Sequence, residues 1–177
     1  MRRVAALLVL LAVALVALPR LLGSTDLPGA VGDLFGTDEA DRVRARVVRV
    51  TDGDTLRVRL PDGREESVRV LGIDTPEVHE GAECGGRDAS AAMAALAPVG
   101  SAVLLEPDPT QGDRDRYDRL LRYVERRGHD VGKAQVAAGM AQVYVFEDDP
   151  FERTDAYRKA ARHARRAGTG LWSSCWR

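Results

Sequence analysis

The feature that most constrains the fold is a set of short apolar segments between residues 43 and 71, separated by Asp-Gly pairs. Apolar residues alternate with arginines over residues 56–60, which is the period of two expected of a strand with one buried face. The Asp-Gly pairs at 52–53 and 62–63 are typical of tight turns between strands. This region therefore predicts three consecutive strands joined by short turns, that is, an antiparallel meander.

The remainder of the chain combines helical and strand patterns. Three helices are predicted, and they cover residues 88–97, 130–138 and 154–167. Two further strands are predicted at residues 102–106 and 120–126. Thr154 is expected to cap the third helix, and Gly168 to follow its end. Five strands with an intervening helix favour an α+β domain that is mainly β: a five-stranded Greek-key barrel of the OB type with three helices.

The N-terminus differs from the rest of the chain. Residues 1–3 are Met-Arg-Arg, and an apolar run follows over residues 4–18, which is the pattern of an export segment. We expect residues 1–22 to be a cleaved signal peptide or an uncleaved anchor that engages the membrane and the export machinery. A buried core helix is the alternative, although no polar face marks one. A linker is predicted at 23–41 and a folded domain at 42–177, in an extracellular or cell-envelope protein.

The charge of the chain limits how it can hold nucleic acid. The formal net charge is −1, and loss of residues 1–22, which carry three arginines and no acid, would lower it to −4. Proteins that bind nucleic acid through bulk charge are strongly basic. Any such contact here must rely on local arginines or a metal. The predicted third helix carries a basic group that is either a solvated face or a DNA-facing patch: Arg158, Lys159, Arg162, Arg165 and Arg166.

The chain has two cysteines, Cys84 and Cys175. Outside the cytoplasm such a pair can form a disulfide, and the alternative is two free thiols. A disulfide would tie the start of the first predicted helix to the C-terminal tail. The sequence holds no Cys-x-x-Cys or Cys/His cluster of the kind that binds zinc.

Three segments hold the residue types needed for chemistry at a phosphodiester: 50–55, 68–77 and 113–121. Negative charge builds on the phosphate oxygens in the transition state, so a site must hold fixed positive charge there. Ca²⁺ on carboxylates and arginine guanidinium groups are two sources of that charge. A further carboxylate can position or deprotonate water. The segments offer Arg69, Arg119, Asp54, Asp74 and Glu77 for these roles.

Taken as motifs, the segments resemble one family. Asp-Gly-Asp-Thr at 52–55, Arg-x-x-x-x-Asp-Thr-Pro-Glu at 69–77 and Asp-x-Tyr-x-Arg at 115–119 occur in this order, and Gly-Leu-Trp follows at 170–172. On these motifs, residues 43–174 resemble the staphylococcal-nuclease-like, or thermonuclease, family. The resemblance implies a hydrolase that cuts DNA and RNA by in-line attack of water, leaves 3′-phosphate ends and uses Ca²⁺. It implies no protein partner, and we expect a monomer.

The resemblance also implies roles for single residues. Asp54 and Asp74 would bind Ca²⁺ through their carboxylates, and Thr75 through its backbone carbonyl. The implied catalytic residues are Arg69, Glu77 and Arg119. Glu77 would orient or deprotonate the attacking water, while the two arginines would hold the phosphate and stabilise its five-coordinate state. Without the motif context, Asp52 and Asp54 could simply be turn residues beside Gly53, and Arg69 and Arg119 could be surface arginines on strands.

Substrate contacts follow from the same resemblance. Arg116 and Tyr117 would contact a neighbouring phosphate, and Tyr144 would pack on a base. Solvated or packing roles are the alternatives for these three residues. The chain departs from the family pattern at three places: Asp118 replaces a glycine, Phe146 replaces a tyrosine, and the loop at 78–83 is short and acidic. These departures leave open a catalytically weak or inactive OB module that only binds nucleic acid.

Overall fold

The computed structural model describes residues 41–79 and 81–176. The predicted export segment and all but the last residue of the predicted linker lie outside the described residues. Within the described residues, no helix has both the length and the apolar character needed to cross a membrane.

Eight strands and three α-helices make up the described domain. The strands are β1 (Val43–Val50), β2 (Thr55–Arg59), β3 (Glu65–Val70), β4 (Ile73–Asp74), β5 (Ala102–Glu106), β6 (Leu120–Arg126), β7 (His129–Asp130) and β8 (Gln142–Val143). The helices are α1 (Gly86–Leu96), α2 (Val131–Ala137) and α3 (Thr154–Ala167), with 3-10 turns at Phe146–Asp148 and Gly170–Ser173.

Strands β1, β2, β3, β5 and β6 form a closed barrel. The antiparallel pairs β1–β2, β2–β3, β1–β5 and β5–β6 run around the barrel, and β3 and β6 close it in parallel. The alternation at 56–60 has the predicted effect, because Leu56 and Val58 are fully buried while Arg57 and Arg59 are exposed. The structure therefore confirms the predicted meander and the five-stranded barrel with three helices.

The helix ends show where the sequence-based prediction was wrong. Thr154 does not cap α3: Arg153 holds the cap position, and Thr154 is the first residue of the helix. The Thr154 hydroxyl instead donates to the backbone carbonyl of Phe151 at 2.5 Å, so it closes the preceding turn. Gly168 ends α3 in a left-handed conformation, as predicted. Helix α1 begins at Gly86, two residues earlier than the predicted start.

The tail is tied back to the start of α1. The structure joins Cys84 and Cys175 in a disulfide, with 5.7 Å between their Cα atoms. The residue after Cys84 also packs on the tail, since a Cβ at Gly85 would lie 2.5 Å from the side chain of Leu171. The segment that leads from β4 to α1 is thus held at its far end by the C-terminal turn.

Candidate active site

Asp54 occupies the turn between β1 and β2. Its backbone N–H donates to the Asp52 carboxylate at 3.0 Å. The buried Asp54 carboxylate accepts hydrogen bonds from the Thr75 N–H at 3.1 Å and the Thr75 hydroxyl at 3.2 Å. The Thr55 hydroxyl donates to the other carboxylate oxygen at 3.0 Å. A Cβ at Gly53 would lie 2.7 Å from Thr75 Oγ1, so only glycine fits there. The Asp-Gly-Asp-Thr motif is therefore tightly packed and fixes the position of the Asp54 carboxylate.

Arg69, on β3, joins two carboxylates. Its guanidinium donates to the backbone carbonyls of Ile73 at 2.6 Å and Val70 at 3.1 Å. One nitrogen, Nη2, lies 3.2 Å from Asp54 Oδ2 and 3.1 Å from Asp74 Oδ1. The Arg69 side chain is only 14 % exposed. Backbone bonds hold the guanidinium in place, and it brings Asp54 and Asp74 to the same point.

The two acids carry more negative charge than Arg69 balances. Burial raises the pKa of the Asp54 carboxyl; Arg69 opposes this rise, and the neighbouring Asp52 adds to it. Desolvation also raises the pKa of Asp74, again against the charge of Arg69, and Asp54 and Glu83 contribute to the rise. Both carboxylates are thus harder to ionise than usual, and a further positive charge would relieve them.

Arg119 is brought to the same site through Thr55. Its Nη1 donates to the Thr55 hydroxyl oxygen at 3.3 Å, and that hydroxyl in turn donates to Asp54. Asp115 contacts Arg119 at three points. The Asp115 carboxylate accepts hydrogen bonds from Arg119 Nε at 2.7 Å and from the Arg119 backbone N–H at 3.0 Å. The same carboxylate lies 2.7 Å from Arg119 Nη2. Burial raises the pKa of Asp115, but these bonds outweigh it, so the net pKa is lowered.

Glu77 is presented differently from the arginines. It lies in the exposed loop after β4, three residues beyond Asp74. Its backbone N–H donates to the Glu83 carboxylate at 3.2 Å, and its carbonyl accepts from the Glu83 N–H at 2.9 Å. A Cβ at Gly86 would lie 2.4 Å from that carbonyl, so α1 starts against the Glu77 backbone. The Glu77 carboxylate itself has no hydrogen-bond or ion-pair partner among the described residues.

The predicted substrate contacts lie at the rim. Tyr117 is 64 % exposed; its hydroxyl accepts from Arg116 Nη2 at 2.8 Å, and the Arg119 guanidinium lies 5.3 Å from its ring centre. Tyr144 is 47 % exposed, and its backbone N–H bonds to the carbonyl of Gly72 at 3.0 Å, next to β4. The structure brings Arg116 and Tyr117 to Arg119, whereas the Tyr144 side chain has no hydrogen bond or ring contact with the other site residues.

Asp118 has the backbone of the glycine it replaces. Its φ is +63°, in the left-handed region, and the preceding turn is closed by a hydrogen bond from its N–H to the carbonyl of Asp115 at 3.0 Å. Its side chain is 88 % exposed and lies 3.5 Å from Arg114. The acid therefore points into solvent beside Arg119 without a contact to it.

Two residues of the site were missed by sequence reasoning. Thr55 belongs to the Asp-Gly-Asp-Thr motif, but its link to Arg119 spans 64 residues and no local pattern indicates it. Asp115 precedes Arg119 by four residues and opens the third motif, so an acid–arginine pair at that spacing was the available signal.

Comparison with known protein families matches the chain to one family. The family profile described as staphylococcal nuclease homologue matches residues 67–174. That stretch covers more than half of the chain and includes the part of β3 that carries Arg69, the loop with Glu77, and the segment with Arg119.

Three relatives illustrate the similarity. Endonuclease YncB of Bacillus subtilis is 35 % identical over 136 residues, covering 74 % of this chain and 62 % of the relative. The SPbeta prophage-derived endonuclease YokF of the same species is 37 % identical, covering 71 % and 42 %. Thermonuclease of Staphylococcus hyicus is 27 % identical, covering 78 % and 81 %. The chain thus spans less than two thirds of the two Bacillus endonucleases.

Proposed function

Because this chain belongs to the family of staphylococcal nuclease homologues, we propose that it is a Ca²⁺-dependent nuclease that hydrolyses phosphodiester bonds of DNA and RNA. One observation carries the proposal. An unbroken series of polar contacts runs from Asp74 through Arg69, Asp54 and Thr55 to Arg119. It places two guanidinium groups and two carboxylates on one connected framework, which is what a phosphodiester undergoing in-line attack requires.

The roles follow from how each group is held. Arg69 and Arg119 bind the phosphate oxygens and stabilise the charge that develops on them, since guanidinium groups match phosphate and stay protonated. Glu77 orients the attacking water and accepts its proton, because its carboxylate is exposed and uncommitted. Attack opposite the 5′ oxygen breaks the bond from phosphorus to that oxygen and leaves a 3′-phosphate.

The residues present fit a calcium ion. Asp54 and Asp74 offer hard oxygen ligands, and both carboxylates lie within 3.2 Å of the same nitrogen of Arg69. Thr75 uses its N–H and hydroxyl on Asp54, which leaves its carbonyl for a ligand. Across residues 41–79 and 81–176, no group of three or more His, Cys, Asp or Glu side chains could hold a metal ion by itself. Backbone, water and substrate oxygens would supply the other ligands. Bound there, Ca²⁺ would add positive charge beside the phosphate.

We also propose that the domain works outside the cytoplasm. The Cys84–Cys175 disulfide supports an oxidising compartment. The export segment predicted at residues 1–22 agrees with it, and either a cleaved signal or an anchor fits.

A nuclease assay under metal control tests the function. Single-stranded DNA, double-stranded DNA and RNA are incubated with the full chain, with Ca²⁺ or with a chelator, and the product ends are labelled. We expect cleavage with Ca²⁺ alone and 3′-phosphate ends. Undiminished cleavage in chelator would contradict the metal assignment, and 5′-phosphate ends would contradict the direction of attack.

A non-catalytic nucleic-acid-binding module is the second candidate. Two observations favour it: Arg119 is already paired with Asp115, and Asp118 adds negative charge beside Arg119. Oligonucleotide binding without turnover at any Ca²⁺ concentration would support it over the nuclease. The Arg119→Ala variant then separates the two, since a nuclease loses turnover and a binding module loses only affinity.

A further inference from the structure

Helix α3 borders a groove that the proposed chemistry does not use. The groove has a volume of about 380 Å³ and lies between α3 and the segment around β8. We call it the α3 groove. It is lined by Arg158, Arg162 and Arg165 on α3 and by Gln142, Val143 and Trp172 opposite.

The three groove arginines are not neutralised by acids. None of them has an ion-pair partner among the described residues, and Arg165 lies 5.3 Å from the centre of the Trp172 ring. Arg153, just before α3, behaves in the opposite way, because it pairs with Glu106, Glu125 and Asp130. Arg153 is thus committed to acids of the fold, whereas the groove arginines keep their charge available.

The spacing of the arginines suits a chain of phosphates. Residues at 158, 162 and 165 recur at the helical period and lie along one face of α3. Seven residues of helix span about 10 Å at 1.5 Å per residue. Each strand of a duplex carries one phosphate per roughly 3.4 Å of helix axis, so a row of this length can contact more than one phosphate.

The groove adjoins the candidate active site through a strand pair. Strand β8 pairs with β4 so that Gln142, in the groove wall, is the Cα partner of Asp74. Tyr144 follows directly and is bonded to Gly72, next to β4. A nucleic-acid strand that leaves the phosphate site past Tyr144 would therefore meet the α3 groove.

We propose that the α3 groove binds the phosphate backbone of the nucleic-acid substrate at a distance from the bond that is cut. This proposal rests on the proposed function, which supplies the substrate. The apolar side chains of Val143 and the half-buried Trp172 give a surface against which sugars or bases pack, and the arginines supply the charge. Anionic lipid is the competing ligand, but the concave shape and the pairing with β4 favour a strand that continues from the site.

Two matched double variants of the full chain test the groove. Arg158→Ala with Arg162→Ala removes two groove charges, while Lys159→Ala with Arg166→Ala removes two charges from α3 residues outside the groove lining. Binding of a single-stranded oligonucleotide longer than the roughly 4–16 nucleotides that an OB barrel covers is measured against salt, in chelator. We expect the groove variant to lower the salt slope by about 1.4, at roughly 0.7 per lost phosphate contact. The control should leave the slope unchanged.

Equal slopes for the two variants, at equal unfolding midpoints, would overturn the proposal. So would a groove variant that loses binding to phosphatidylglycerol vesicles while keeping its oligonucleotide affinity. Because binding in chelator needs no turnover, the result is independent of the nuclease assay. A chain that never cuts but shows the slope difference would contradict the proposed function, while the slope would still show that the groove binds a phosphate backbone.

With an active enzyme, substrate length gives a second test. Cleavage of a dinucleotide, which is too short to reach the groove, should have the same KM in both variants. Cleavage of the long oligonucleotide should show a raised KM in the groove variant alone. A raised KM on the dinucleotide would show that the arginines act at the cut bond and would contradict the proposal.

Discussion

Arg69 and Glu77 lie eight residues apart in the sequence, yet the fold supports them in different ways. Arg69 is on a barrel strand paired on both sides, and its guanidinium bonds to two backbone carbonyls and two acids. Glu77 lies on a loop whose far end is held by the Cys84–Cys175 disulfide, and its carboxylate is exposed and unpartnered within the described residues.

The contrast between Arg69 and Glu77 separates contributions to the stability of the fold from contributions to turnover. A group that binds developing charge acts best when its position is fixed before the substrate arrives. Arg69 meets this condition because two backbone carbonyls and two carboxylates hold its guanidinium. A group that handles water must stay open to solvent. Arg69 should therefore matter for both stability and turnover, and Glu77 for turnover alone.

The largest effect is expected from Arg69→Ala. It removes a phosphate ligand, so turnover should fall by about 10³–10⁵-fold, as for other arginines that stabilise phosphoryl transfer. It also leaves the buried Asp54 carboxylate without its cation, and unfolding free energy should fall by about 3 kcal/mol, at the low end for breaking a buried pair. Denaturant unfolding and single-turnover cleavage measure the two effects. Arg57→Ala, an exposed arginine on the neighbouring β2, should change neither by much.

Glu77→Gln should reduce activity by a smaller but still large factor and spare the fold. Loss of a general base costs about 10²–10⁴-fold in rate. The exposed carboxylate has no hydrogen-bond or ion-pair partner among residues 41–79 and 81–176 that the amide would lose, so the unfolding free energy should stay within about 0.5 kcal/mol. The same two measurements apply. A stability loss as large as that of Arg69→Ala would contradict the division between the two regions.

Loss of the disulfide should act mainly on the loop that carries Glu77. Replacing Cys84 and Cys175 by Ser opens a loop closed across 91 residues, which by chain entropy lowers unfolding free energy by at most about 4–5 kcal/mol. At a temperature where the variant remains folded by circular dichroism, kcat should fall several-fold because the Glu77 loop loses its far anchor. KM should change little, since the arginines stay on the barrel.

Reduced wild-type protein is the control for the serine substitutions and should behave in the same way. If KM rose with no change in kcat, the disulfide would be supporting substrate binding instead of the Glu77 loop. That outcome would contradict the proposal that the disulfide positions the Glu77 loop.

The sequence predicted the parts of the domain that depend on local pattern. The strands at 102–106 and 120–126 occur at the predicted bounds, because each is a short segment rich in apolar residues with glycine or proline close after its end. The two-residue pair β4–β8 was missed, since it is too short to show a period and its partners are far apart in sequence. Thr154 was wrongly taken as a cap because a threonine before a helix satisfies that pattern, whichever carbonyl its hydroxyl finds.

The candidate site, too, was predicted where local motifs indicate it and missed where contacts depend on the tertiary fold. The motifs predicted Arg69 and Arg119 as residues of one site, and the structure brings both guanidinium groups to the Asp54 framework. The motifs could not predict Thr55 as the link between Arg119 and Asp54, because that contact depends on how the barrel closes. Nor could they predict that Asp115 would bind the side chain and the backbone of Arg119 together.

The smallest effect is expected from Asp118→Gly, beside Arg119. Asp118 has φ +63°, and relief of that strain should raise unfolding free energy by about 1 kcal/mol, since the exposed contact with Arg114 is worth little. Removing a negative charge near the phosphate ligand should also lower KM modestly. Arg127→Gly is the matched control, because Arg127 has φ +53° in the β6–β7 turn, where the structure gives it no contact with the site. Both variants should gain stability, but only Asp118→Gly should lower KM. An equal KM change in both variants would mean that backbone strain, and not the charge of Asp118, sets the substrate affinity of the site near Arg119.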